Sequence, residues 1–422
     1  MWRLLIMQNS FKPERIVVKF GGAALADGEK VSKAAKAVAK EASKGKHIAV
    51  VVSAMGKTTD ALIEVAKNAC NGNVNAEELD DILAMGERTS VRIFTAALKS
   101  YGLKARYFDP ADPEWPIITD DSFLNANPII ELCEEKIQRF ILPLFEKKII
   151  PVMPGFIGKT IDGKITTLGR GGSDTTAFIL AKGLKANEVI LVTDADGIMT
   201  ADPKIVKNPR RISEIDVQTL VGLADSGTKF IHRKALKYKD PSINVRVINH
   251  ASGDLNQEGT IIRGELPKDL EADIVSPFPV ASIRILGKKL SERPEIVGEF
   301  IENIRKHTVL LGMSLDENSL VSFVAEKEDL QALAEGIHQI VLNHREAIAM
   351  SIRRNLAFLR IKGVGLEETP GIIGRISEPL RLNNINIFGI LTNTSSILLF
   401  VSWDDRERAL NLIKCSLGLE GR

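Results

Sequence analysis

The densest chemistry in the sequence is the run Gly169-Arg170-Gly171-Gly172-Ser173-Asp174-Thr175-Thr176. Three glycines let backbone amides turn toward an anion, and the helical pattern that follows would add its positive end. Arg170 can clamp a carboxylate or phosphate with two parallel hydrogen bonds, and Asp174 is placed to orient a cation or a lysine. A helix cap by Ser173 or Asp174 accounts for the last residues, but not for an arginine among three glycines. Lys19 precedes Gly21-Gly22 at the end of the apolar run Ile16–Phe20. It could set a positive charge on a phosphate, although taken alone the segment reads more simply as a turn beside a solvated lysine. Thr193-Asp194-Ala195-Asp196-Gly197 ends another apolar run with two acids, and Asp202-Pro203-Lys204 follows. Gly227-Thr228-Lys229 sets one more lysine on a glycine turn, by itself an ordinary surface charge.

Together these parts suit phosphoryl transfer, which needs positioning and charge neutralisation more than covalent chemistry. A carboxylate acceptor is already ionised at neutral pH, so no strong general base is required. The sequence has no GxxxxGK[ST], which excludes a P-loop enzyme, and no GxGxxG after its first strand, which disfavours a dinucleotide fold. The D-x-D-G segment lacks the other ligands of an EF-hand.

The elements that must hold these residues follow from periodicity. Ile16–Phe20, a glycine turn, a helix over residues 29–43 and the run His47–Ala54 form a βαβ unit, hence a parallel sheet covered by helices. Strands over Ile149–Phe156 and Glu188–Val192 and a helix over Thr175–Leu184 continue the pattern. Residues 1–265 read as one α/β domain. Residues 266–279, with Pro267, Pro277 and Pro279, read as a linker. Beyond it ASIRILG at 281–287 recurs as AFLRIKG at 357–363, an offset that also matches Pro294 with Pro370 and Gly298 with Gly374. Two α+β modules of βαββαβ type, 280–350 and 351–422, are the simplest account.

The 422 residues exceed what one core needs, and 44% hydrophobic with 26% charged residues is an ordinary globular balance. A net charge of +2 gives no reason to expect nucleic acid as a partner. Three scattered cysteines argue against a disulfide framework and fit a reducing cytoplasm, and six histidines off any ligand spacing argue against a zinc site. No apolar run is long enough to span a membrane.

The blocks KFGG at Lys19–Gly22, VVSAMGKTTD at Val51–Asp60, Gly86-Glu87, TTLGRGGSDTTA at Thr166–Ala177 and TDADGIMTADPKIV at Thr193–Val206 resemble the aspartokinase branch of the amino acid kinase family. The paired C-terminal modules resemble regulatory ACT domains. The resemblance implies an amino acid kinase-like, mostly parallel sheet sandwiched by helices, and transfer of a phosphate from ATP, with Mg²⁺, to the side chain of L-aspartate. It gives Lys19 and Asp174 the catalytic roles. Ser53, Glu87, Arg170, Gly171, Gly172 and Ser173 would hold aspartate. Lys19, Gly21, Gly22, Thr193, Asp194, Met199, Lys204 and Lys229 would meet the nucleotide. It implies a homodimer, or a dimer of dimers, joined through the ACT-like modules.

Three departures from the family pattern stand out. Ala23-Ala24 replace a Thr-Ser pair, Met199 stands where an aromatic residue is usual, and Lys204 replaces an arginine. The modules also differ from each other, because Pro370-Gly371 in the second corresponds to Pro294-Glu295 in the first. A bulky charge there is expected to weaken or abolish amino-acid feedback at the first module's loop. A kinase for glutamate, N-acetylglutamate or UMP, and a non-catalytic amino-acid sensor, are the competing readings.

Overall fold

The computed structural model describes residues 13–203, 205–224, 231–266, 270–326, 329–363, 366, 369–393 and 395–419. Lys204 and Lys229 lie outside the described residues. The chain divides into two compact units between residues 266 and 267.

The first unit opens with β1 (Arg15–Phe20), α1 (Gly28–Ala42) and β2 (His47–Val52). Helices α2 (Thr58–Ala69) and α3 (Ala76–Ser100) lead to β3 (Ala105–Tyr107). After α4 (Ile130–Lys136) and α5 (Leu142–Glu146) come β4 (Ile150–Pro154) and the hairpin β5 (Ile157–Lys159) with β6 (Ile165–Thr167). Next are α6 (Gly172–Leu184), β7 (Glu188–Thr193), β8 (Glu214–Asp216) and α7 (Val217–Ala224). The unit ends with α8 (Arg233–Leu236), β9 (Asn244–Asn249) and β10 (Thr260–Arg263).

Eight of these strands form one sheet in the order β3-β4-β2-β1-β7-β9-β10-β8. Every neighbouring pair is parallel except β9 with β10. The middles of the central strands are apolar because helices cover both faces. Val17, Val18, Val50, Val51 and Val189 are each 0% exposed. On one face Val31, Ala35 and Val38 of α1 join Val18, Val50 and Phe94 in a common core. Asp27 caps α1 by accepting from the Lys30 amide at 2.8 Å, which stabilises a helix start by about 1 kcal/mol. Helix α6 is buried along nearly its whole length and packs on β1, β2 and β7.

The second unit begins with β11 (Glu271–Ile274) and β12 (Val280–Gly287), followed by α9 (Pro294–His307), β13 (Leu310–Leu315), β14 (Ser319–Ala325) and α10 (Leu330–Asn343). Then come β15 (Ala347–Lys362), α11 (Ile372–Leu382), β16 (Gly389–Asn393), β17 (Ser396–Ser402) and α12 (Arg406–Leu417). The repeat is thus realised as two strand-helix-strand-strand-helix copies. Two expectations change here. The first half of β15 completes copy one by pairing with β12, and its second half opens copy two by pairing with β17. The modules share this one strand across residue 350, bulged where Asn355 takes a φ of +62°. The segment 266–279 is not only a linker: β11 pairs with residues 359–362 of β15, so it supplies an edge strand to copy two. Four residues with two acids, flanked by prolines, carry too little pattern to announce a strand.

Each copy buries an apolar core under its own two helices. A third cluster, Val280, Phe323, Leu356, Phe358 and Phe400, lies between the two copies, where Phe323 stacks on Phe400. Among the described residues no helix is long and apolar enough to cross a membrane.

Candidate active site

Strands β2, β1 and β7 lie side by side and parallel, so Val52, Phe20 and Thr193 end along one edge of the sheet. Ligands of open parallel sheets bind beyond that carboxyl edge. Lys19, the second-last residue of β1, directs its Nζ to Asp174 Oδ1 at 2.7 Å, with side chains 16% and 10% exposed. Asp174 stands in the first turn of α6. Gly171 precedes that turn with a φ of +73°, a conformation in which a Cβ is strained. No side chain caps this helix, so Ser173 and Asp174 sit inside its first turn instead of closing it. The simple capping explanation of these residues therefore does not hold.

Ser53, just past β2, donates through Oγ to Ser173 Oγ at 3.0 Å. This contact depends on Gly155, where an added Cβ would stand 2.6 Å from that of Ser173. Gly22 has a similar reason: a Cβ there would meet the Ala54 and Gly56 carbonyl oxygens at 2.9 and 3.0 Å. Gly21 differs, because its N–H already donates to the Val192 carbonyl at 3.0 Å. Its amide serves the β1–β7 junction, and the missing side chain leaves room beside Lys19.

Glu87 comes from α3 and is 4% exposed. One carboxylate oxygen accepts the Ala54 amide at 3.0 Å, while Oε2 is buried with no hydrogen-bond partner among the described residues. Burial pushes its carboxyl up to about 7, against the opposing pull of the nearby Lys19 charge.

The outer part of the edge is looser. Arg170 is exposed and has no hydrogen-bond or ion-pair partner among the described residues. Thr193 Oγ1 donates to Asp194 Oδ1 at 3.0 Å. Asn249, at the end of β9, donates to Asp196 Oδ1 at 2.8 Å and to the Asp194 carbonyl at 3.3 Å, fixing the acidic turn. Met199 is half-buried and bridges to Arg211 through the backbone. The two alanines also separate: Ala23 is exposed, whereas Ala24 is 1% exposed within the core, a place where a hydroxyl would need its own partner. Among the described residues no group of three or more His, Cys, Asp or Glu side chains could hold a metal ion. Sequence reasoning missed Gly155, Asn249 and the Ala54 amide. The first two end apolar runs and were visible as strand ends; a backbone amide leaves no sequence signal.

Residues 14–249 match the model of the amino acid kinase family, and residues 351–414 match that of the ACT domain. The chain is 32% identical to an aspartokinase of Geobacillus stearothermophilus over 379 residues, 88% of this chain and 89% of that one. It is 28% identical to an aspartokinase of Thermus thermophilus over 417 residues, 96% of this chain and 99% of that one. Among solved structures, aspartate kinase from Synechocystis superposes with a TM-score of 0.76 at 25% identity, covering 96% of this chain and 69% of that one. Aspartokinase III of E. coli, in complex with aspartate and ADP, shares the fold with a TM-score of 0.54 at 23% identity, over 96% of this chain and 100% of that one.

Proposed function

The chain belongs to the amino acid kinase family and, within it, to the aspartokinases, and from that premise we propose how its residues divide the work. It transfers the terminal phosphate of ATP to the side-chain carboxylate of L-aspartate, giving ADP and 4-phospho-L-aspartate, an entry to amino-acid biosynthesis. The observation that carries this reading is the Lys19–Asp174 pair on the same sheet edge as Glu87, whose buried Oε2 has no partner among the described residues.

A carboxylate oxygen of aspartate forms a bond to the terminal phosphorus, and the bond from that phosphorus to the bridging oxygen breaks toward ADP. No proton need move. Lys19 offsets the charge on the transferring group, and Asp174 holds the ammonium in place. Glu87 attracts the α-ammonium of aspartate and Arg170 grips its α-carboxylate. Ser53 and Ser173, with Gly171 and Gly172, line the rest of the acceptor pocket. Gly22 lets the backbone come close. Thr193, Asp194, Met199, Lys204 and Lys229 are assigned to the nucleotide. Mg²⁺ would arrive with the nucleotide and not in a cage of protein ligands, and it would neutralise phosphate charge there.

The ACT-like copies are assigned to feedback by an amino acid. Residues 347–355 of β15 pair with β12 alone, and Ile348 there is 61% exposed, so this edge suits pairing with a second copy of the chain. A cytoplasmic setting agrees with the free cysteines Cys70, Cys133 and Cys415. The test is a hydroxamate assay with ATP and Mg²⁺, offering L-aspartate or L-glutamate, with UDP formation from UMP followed alongside. Aspartyl hydroxamate formed well above the other two supports the reading; a different preferred acceptor, or none, overturns it.

A further inference from the structure

Lys234, in the short helix α8, makes the most concentrated set of contacts near the site that no role above explains. Its Nζ donates to Asn125 Oδ1 at 2.7 Å, and to the Asn125, Ala126 and Leu168 carbonyls at 2.9 Å each. An ammonium has three N–H groups, so four oxygens saturate it. All four are uncharged. Burial pushes this lysine below its usual value, with the charge of Asp120 opposing.

The four oxygens surround one turn. Leu168 immediately precedes Gly169-Arg170. Gly169 has a φ of +73°, and a Cβ on it would stand 2.7 Å from the same Asn125 Oδ1 that Lys234 binds. The Ala126 amide donates to the Thr167 carbonyl at 2.9 Å, joining the two chain segments directly. From α3, Asp80 accepts the Leu124 and Thr167 amides at 2.9 and 3.0 Å and is 0% exposed. Residues 124–126 and 167–168 are thus fixed by one anion and one cation. The start of α8 closes the other end of the turn, because a Cβ on Gly171 would lie 2.5 Å from that of His232. Arg170 itself has no partner among the described residues, so what orients it is the backbone on either side.

We infer that Lys234 is a positioning residue for Arg170. It ties down the strand end from which Arg170 projects, so that the guanidinium is presented to the α-carboxylate of the acceptor without searching. The inference rests on the acceptor role proposed for Arg170. A side chain already saturated by four oxygens has no donor left for substrate, so Lys234 acts through the turn and not on the ligand.

The test compares Lys234→Met, which keeps the length and removes the charge and donors, with Lys234→Arg, in the full-length protein. Lys234→Met should raise KM for aspartate about tenfold while KM for ATP stays within about twofold. Amide hydrogen exchange over residues 168–173 should quicken about tenfold or more, with β1, β2 and β7 unchanged. Lys234→Arg should recover most of both effects. Unchanged exchange at 168–173, faster exchange with an unaltered KM for aspartate, or a uniform loss of both KM values together with Tm would each overturn the inference. Exchange reads the tie without any turnover. Faster exchange in a protein whose wild type forms no aspartyl hydroxamate would therefore count against the functional reading and leave the tie standing.

Discussion

Lys19, Asp174, Ser53, Ser173 and Glu87 are wholly or largely buried and are bonded to one another or to the backbone, whereas Arg170, Asp194 and Asp196 on the same sheet edge stand exposed. In the first group folding has already set the geometry, and the low-dielectric surroundings make each charge count for more. In the second group Asp194 and Asp196 are held only at the surface, by Thr193 and Asn249, and Arg170 has no partner among the described residues. Within these groups the buried Lys19–Asp174 pair is the part proposed to act on the transferring phosphate, and the exposed Arg170 is the part proposed to hold the acceptor. Damage to Lys19 or Asp174 should appear in kcat, and damage to Arg170 in KM.

Lys19→Ala is the most severe break. It should lower kcat by about 10³-fold or more, because the lost charge acts where the transition state needs it. KM for aspartate should change by less than about tenfold. A variant with normal kcat would place the phosphoryl group elsewhere. Arg170→Ala comes next. Steady-state kinetics should show KM for aspartate up by about 10²-fold with kcat within tenfold, the loss of one charge-assisted clamp. Thermal unfolding should be unchanged, since this exposed side chain has no partner among the described residues to lose. If Arg170→Ala lowered kcat as far as Lys19→Ala does, the division between inner and outer groups would fail.

Glu87 belongs to the inner group but is the residue proposed to attract the acceptor's ammonium, so it sharpens the comparison. Its carboxyl is raised from 4.5 to about 7, so below about pH 7 it is protonated and loses its attraction for an ammonium. The kcat/KM for aspartate should fall on acidification through pH 7, and Glu87→Gln should be low and flat across the same range. Stability runs the other way. A carboxyl whose folded value is raised favours the folded state below its unfolded value, and that contribution is lost as pH rises from 4.5 to about 7. Glu87→Gln should therefore raise stability at pH 8, by on the order of 3 kcal/mol and with a higher Tm, and leave both little changed at pH 4. Equal Tm differences at both pH values would contradict the assigned burial cost.

The smallest effect concerns the two ACT-like copies. Gly371 precedes α11 with a φ of +76° and, among the described residues, nothing within 4 Å of an added Cβ. In copy one Glu295 begins α9, exposed and 3.5 Å from Arg293. Isothermal titration with lysine and threonine should find at most one class of site in the wild type, and Glu295→Gly should admit weak binding at a second. Micromolar binding at copy one that is lost on Glu295→Ala would reverse this assignment.

Much of the catalytic fold was legible because parallel strands buried on both faces are continuous apolar runs, and because glycines mark the turns at their ends. Lys19, Asp174 and Arg170 stood out by residue type beside those turns. What stayed hidden depends on contacts far apart in the chain. The pairing of Gly21 with Val192, the approach of Gly155 to Ser173 and the lone oxygen of Glu87 are set by packing. The strand β11 was hidden because four residues among prolines have no period to read, and its partner is far along the chain, with Ala272 opposite Ile361 and Asp273 opposite Arg360. Sharing β15 between two modules is likewise invisible in a repeat, which shows two similar copies and not where one ends.

The central claim is that the Lys19–Asp174 edge moves a phosphate from ATP to a carboxylate of aspartate. Phosphorus NMR of the protein with ATP, Mg²⁺ and L-aspartate tests it directly, with Lys19→Ala alongside. An acyl-phosphate resonance that grows in step with ADP, needs aspartate and is absent with the variant is the predicted result. ADP appearing with inorganic phosphate alone, or an acyl phosphate formed equally by Lys19→Ala, would contradict it.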